Sequence, residues 1–211
     1  MLKHIIWDFD GTLFDTYPVI TEVLRETFLD YGMDEPIDEI RRLAMISMKF
    51  TVEHYKNKYN LNDTFFVEYN KRVKEEEILR AKPFEGIPEI CQMITATGGS
   101  NYLFTHRGNS SFILLEKFGL LNHFRECITS KEAFARKPSP DGILYLIEKY
   151  EINQQEAIMI GDRDIDILSG RNGGIATCYF NQNGKQDVAA DYYINSMDQL
   201  EAILYVNERN N

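Results

Sequence analysis

Short apolar runs bounded by turn residues recur along the chain at positions 4–9, 101–105, 126–129, 157–160 and 175–180. Each is too short for a helix and rich in β-branched or aromatic residues, which is how strands covered on both faces read. Between them the period changes. Residues 108–119 place Phe112, Leu115 and Phe118 on one face, and 140–150 do the same with Ile143, Leu144 and Ile147, each stretch bounded by turn chemistry. Strand-helix alternation of this kind predicts an α/β fold, a Rossmann-like doubly wound parallel sheet.

One segment breaks the rhythm. Residues 16–82 carry helical periodicity (Val19, Val23, Leu24, Phe28) and charged runs but no strand pattern, so they read as a helical insertion. Lys82-Pro83-Phe84-Glu85-Gly86 punctuates the return to the body before a helix at 87–95. The expected organisation is an α/β body of residues 1–15 and 83–211 with an α-helical cap of 16–82.

Composition narrows the function classes. The chain has 211 residues, 44% hydrophobic, enough for a sizeable core, and its 23 basic against 33 acidic residues give a formal charge of −10. That charge argues against nucleic acid or an anionic membrane as partner. Cys91, Cys127 and Cys178 are widely spaced with no CxxC pattern, which fits buried apolar thiols rather than a disulfide framework or a zinc site. The first apolar run is interrupted by Asp8 and Asp10 and is too short for a signal-peptide core, and no later run reaches a membrane span. A cytoplasmic monomer or homodimer is expected, with a frayed polar end at 206–211.

In open α/β sheets, ligands sit beyond the carboxyl ends of the strands, so the polar residues at those ends are the candidates. The first run ends in Asp8 and Asp10, which point the same way if the strand continues that far. Gly11 and Thr12 follow, suited to a tight turn whose N–H groups face an anion. The second ends in Thr105-His106-Arg107-Gly108, which offers a hydroxyl, a backbone amide and ring or guanidinium donors to a phosphate. In Arg136-Lys137-Pro138-Ser139-Pro140, two prolines fix the backbone around a compact positive charge. The fourth passes into Gly161-Asp162-Arg163-Asp164-Ile165-Asp166, where Asp162 and Asp166, four apart, can share one face of a starting helical turn. With Asp8 and Asp10 they supply the hard oxygen ligands that magnesium requires.

These four stations, in this order, resemble the haloacid dehalogenase-like hydrolase superfamily, in its helical-cap phosphatase and phosphomutase branch, and more narrowly its phosphoglycolate phosphatase-like members. The resemblance covers essentially the whole chain. It implies that Asp8 attacks phosphorus, forming a phosphoaspartyl intermediate, and that Asp10 first protonates the leaving oxygen and then deprotonates water. It implies Mg²⁺ held by Asp8, the main-chain carbonyl of Asp10, Asp162 and waters, with Asp166 beside these ligands. Thr105, Lys137, Gly11 and His106 form the implied phosphate-binding set. His106 stands where many relatives have asparagine, and Arg163 and Asp164 also depart from the common pattern. A carboxylate at position 10 is useless for expelling halide, which needs no proton, so it favours an oxygen leaving group.

The expected reaction is therefore magnesium-dependent hydrolysis of a small phosphorylated metabolite. Two alternatives stay open: a sugar phosphomutase of the β-phosphoglucomutase type, and a non-catalytic phosphate-binding or interaction protein. A cap over such a site closes to complete specificity, and Ser47 and Lys49 are the candidates there. The aromatic run 64–69 reads as one face of a cap helix.

Overall fold

The structure, a computed structural model, describes residues 1–184, 186 and 188–204, so the end segment 206–211 lies outside the described residues. The chain divides into two compact units, one of Met1–Phe14 with Pro83–Asn211 and the other of Asp15–Lys82. It crosses between them at two short strands, β1 (His4–Trp7) being followed by β2 (Phe14–Asp15), and β3 (Lys82–Pro83) closing the excursion.

The first unit is built on a six-stranded sheet. After β3 come α5 (Ile87–Ala96), β4 (Ser100–Phe104), α6 (Ser110–Lys117), β5 (Phe124–Ile128), α7 (Asp141–Tyr150), β6 (Ala157–Gly161), α8 (Asp164–Asn172), β7 (Ala176–Phe180), β8 (Tyr192–Ile194) and α9 (Asp198–Leu204). The strand order is β5-β4-β1-β6-β7-β8 and the pairings are parallel. The central strand β1 has sheet neighbours on both edges, with Trp7 level with Leu103 of β4 and Ile160 of β6. Ile5, Ile6 and Trp7 are fully buried, which is why this run shows no polar alternation. On one face Ile6, Tyr102, Phe104 and Met159 pack with Ile143 and Leu146 of α7. Gly142 permits this, because a Cβ there would lie 2.8 Å from the Phe104 ring.

Three expectations need correction. The first strand ends at Trp7 rather than residue 9, because the Phe9 carbonyl accepts from Thr12, Leu13 and Phe14 and Gly11 turns the chain at φ 74°. Strand β8 was not expected. It has three residues and, among the described residues, sits at the sheet edge paired with β7, so it carries too little apolar pattern to be read. Of the three thiols, Cys91 and Cys178 are buried, but Cys127 is only partly so.

The second unit consists of α1 (Tyr17–Asp30), α2 (Ile37–Ile46), α3 (Met48–Tyr59) and α4 (Asp63–Arg80). Its core is aromatic: Phe28 stacks on Phe65 with centroids 5.2 Å apart and meets Tyr55 at 4.6 Å. Val23, Leu24 and Tyr69 are buried alongside. Among the described residues, no helix is long and apolar enough to cross a membrane.

Candidate active site

The three adjacent central strands end within one residue of each other, so the residues that follow them emerge close together: Asp8 after β1, Thr105 after β4 and Asp162 after β6. The Asp8 N–H donates to Ile160 O at 2.9 Å, and the Thr105 N–H to Ile128 O at 2.9 Å, extending the ladders one residue beyond the strands. Both side chains are buried.

Lys137 reaches this place from the loop before α7. Its ammonium, fully buried, donates to Asp8 Oδ1 and to Asp166 Oδ1, the latter at 2.5 Å. It also lies 5.3 Å from the centroid of the Phe104 ring, the apolar floor beneath it. Burial alone would lower the Lys137 pKa, but the two carboxylates more than reverse that and hold it above the ordinary lysine value. Asp8 is pushed up to about 6, first by burial and then by Asp166, against the opposing pull of Lys137 and Arg163.

Asp166 comes to Asp8 by a different route from the one its spacing suggested. Helix α8 starts only at Asp164, so Asp162 precedes it and the two acids do not share a helical face. Asp166 instead folds back over the turn: its Oδ2 accepts the Arg163 N–H at 3.1 Å, leaving Oδ1 for Lys137. Gly161 makes the space, since a Cβ there would stand 2.2 Å from the Asp166 Cβ. As a result, Asp8, Asp162 and Asp166 each bring one oxygen within 4.8 Å of the others. The Thr12 hydroxyl approaches Asp162 Oδ1 at 3.5 Å.

This set suits a hard cation. Its donors are carboxylate oxygens, and the Asp8 Oδ2 is buried with no hydrogen-bond partner among the described residues, a costly state for an anionic oxygen that a metal ion would relieve.

Asp10 is placed by a residue whose role here the sequence did not reveal. The Arg107 guanidinium donates to Asp10 Oδ1 at 2.6 Å and to Ser110 Oγ at 3.0 Å, and lies 5.1 Å over the Phe9 ring. The period-two argument for Asp10 fails because the strand has already ended. The turn at Gly11 sets its position, and no local sequence signal pairs it with a residue 97 positions away. His106 Nε2 accepts the Lys137 main-chain N–H at 2.9 Å. The Arg107 N–H returns to Thr105 Oγ1 at 3.1 Å. Asp164 is exposed, with Oδ1 accepting its neighbour's N–H.

The two cap candidates belong to the other unit. Ser47 caps α3, its Oγ accepting the Phe50 N–H at 3.0 Å. The Lys49 side chain is exposed, 3.9 Å from Glu53.

The family model for haloacid dehalogenase-like hydrolases matches residues 5–180, a span that contains all of β1 but its first residue, the lysine loop and the acidic turn. The chain belongs to that family. Among relatives of this hydrolase, a phosphoglycolate phosphatase from Agrobacterium fabrum is 30% identical over 180 residues, covering 81% of this chain and 76% of the relative. A 5'-nucleotidase from Pseudomonas aeruginosa is 24% identical over 204 residues, covering 94% and 87%. Among solved structures, a hydrolase from Streptococcus pneumoniae superposes with a TM-score of 0.71 at 30% identity, covering 96% of this chain and 98% of that one.

Proposed function

We propose that this hydrolase cleaves a small phosphomonoester by a magnesium-dependent route through a phosphoaspartyl intermediate. The observation that carries the reading is the convergence of Asp8, Asp162 and Asp166 with the buried Lys137 ammonium at the ends of β1 and β6. Phosphoryl transfer asks chiefly for in-line positioning and neutralisation of charge, and carboxylates arranged about a fixed cation are suited to both. The relatives differ in the substrates for which they are named but share cleavage of a phosphomonoester, which favours assignment at the level of the reaction.

In this mechanism Asp8 is the nucleophile. A carboxylate oxygen attacks phosphorus, the ester oxygen leaves, and the phosphoryl group becomes bonded to Asp8. Asp10, oriented by Arg107, gives its proton to the departing oxygen and later takes one from the water that attacks the acyl phosphate, restoring Asp8 and releasing phosphate. Lys137 and the Thr105 hydroxyl bind the phosphoryl oxygens. Asp8, Asp162 and the main-chain carbonyl of Asp10, with Asp166 beside them, would hold Mg²⁺, which supplies neutralising charge to the phosphoryl group. The helical unit, residues 15–82, would act as the cap that excludes water and selects the substrate.

The test is a panel of phosphorylated metabolites assayed with Mg²⁺ and with a chelator, alongside Asp8→Asn and Asp10→Asn. Release of phosphate that requires the metal and is nearly abolished by either substitution is the expected result. Wild-type protein that binds phosphate yet cleaves none of the panel would sink the reading. Conversion of one sugar phosphate isomer to another without release would assign the acceptor as a sugar hydroxyl instead of water.

A further inference from the structure

The loop that carries Lys137 has few means of being held. Between positions 137 and 140, Pro138 and Pro140 have no N–H, so only Lys137 and Ser139 can donate from the main chain. The Ser139 N–H closes a turn to Arg136 O at 3.0 Å. The Lys137 N–H goes to the ring of His106. One residue further, the Pro138 carbonyl accepts from Asn172 Nδ2 at 3.0 Å. The lysine's backbone is thus gripped by one side chain on each side, and the grip on its own N–H is an imidazole.

A main-chain N–H can only donate, so the lone pair of Nε2 must face it and the neutral ring carries its proton on Nδ1. A protonated imidazole has no acceptor and would oppose the contact. Burial first, then the charges of Lys137, Arg136 and Arg163 against that of Asp166, lower the His106 pKa to about 4, so the ring stays an acceptor at neutral pH. The position matters as well. His106 follows Thr105 directly, and Arg107 follows His106. Three consecutive residues after β4 therefore offer a hydroxyl, hold the lysine loop and hold Asp10.

We propose that His106 is a positioning residue of the phosphoryl site and not a phosphate ligand: its Nε2 fixes the main chain of Lys137, and so sets the ammonium between Asp8 and Asp166. The role rests on the phosphomonoesterase reading for its catalytic consequence, but the tether itself does not. An asparagine here would end one bond shorter. Glutamine is the substitution that brings a carbonyl oxygen to the reach of Nε2.

The experiment compares wild type, His106→Ala and His106→Gln by two readouts. One is hydrogen exchange of the Lys137 amide, followed by NMR on ¹⁵N-labelled protein. The other is kcat and KM for p-nitrophenyl phosphate with Mg²⁺, together with inhibition by inorganic phosphate. In His106→Ala the Lys137 amide should exchange faster and kcat should fall by about tenfold or more, since misplacing a catalytic group by ~1 Å can cost 10²-fold. His106→Gln should recover both. Should His106→Ala not fold, His106→Asn, whose amide is too short for the contact, takes its place with the same expectation. An unchanged Lys137 amide in the variant lacking the acceptor would overturn the proposal. So would a rise in KM and in the inhibition constant of phosphate at unchanged kcat in both variants, which is the signature of a direct phosphate ligand. If wild type cleaves nothing, the phosphatase reading has failed, and amide exchange alone decides the tether.

Discussion

Lys137 and Asp166 form an ion pair at 2.5 Å in which both side chains are fully buried, and the same ammonium reaches Asp8. One cation thus stands between two carboxylates away from water. Removing it would leave Asp8 and Asp166 facing each other without the ammonium that pairs with both. Breaking a buried pair by deleting one partner costs about 3–5 kcal/mol. Lys137→Met should lose stability on that scale in urea unfolding at neutral pH without metal, and a loss no larger than the ~1 kcal/mol of an exposed pair would contradict this arrangement.

Gly161 is the position where the smallest change should matter most. An alanine Cβ would stand 2.2 Å from the Asp166 Cβ, so either the turn or the acid must move. Overpacking of this kind typically costs about 1–3 kcal/mol. Gly161→Ala should lower the melting temperature and weaken magnesium binding, measured by calorimetric titration. Wild-type affinity in a destabilised variant would show that Asp166 is not needed beside the metal ligands.

Much of this was legible from residue order. The buried strands announced themselves because β1, β4 and β6 are covered on both faces, so Ile5, Ile6, Tyr102 and Met159 leave continuous apolar runs. Asp8 and Asp162 could be named because each follows such a run, and Lys137 because Pro138 and Pro140 follow it and fix the loop. What could not be read was how the side chains meet. The Asp10 to Arg107 pair spans 97 positions and depends on a turn that ends the strand early. Asp166 reaches Lys137 only because Gly161 lacks a side chain. His106 looked like a donor to phosphate, yet its Nε2 accepts from a backbone N–H, a fact of loop geometry that no local pattern encodes.

Arg107 predicts a separable effect on the acid. It is largely buried, and its guanidinium fixes Asp10 at 2.6 Å. Arg107→Met should lower kcat by on the order of tenfold, less than the roughly 10²–10⁴-fold that a positioned general acid and base contributes because Asp10 itself remains, while leaving inhibition by phosphate unchanged. Weakened phosphate inhibition at constant kcat would place the guanidinium on the phosphoryl group instead.

The stability of the lysine loop should depend on pH through His106. Its pKa in the folded chain, about 4, lies below the ordinary 6.5, so between those values the unfolded chain binds the proton more readily. The contribution is fully present above pH 6.5 and is lost as the pH falls toward 4. Glutamine does not titrate. The melting temperature of wild type relative to His106→Gln should therefore be highest above pH 6.5, decline through that window and level off below it. A difference that is flat across the window would mean that the ring is not held neutral.

The central claim is that Asp8 takes the phosphoryl group. The most direct measurement is rapid quenching of wild type with a ³²P-labelled phosphomonoester and Mg²⁺, followed by borohydride reduction and mass spectrometry to locate the acyl phosphate. The account predicts ³²P on the quenched protein, lost on treatment with hydroxylamine and absent from Asp8→Asn, and reduction that expels the phosphate and leaves homoserine at position 8. Steady release of phosphate by an Asp8→Asn variant, or label on any other residue, would contradict it.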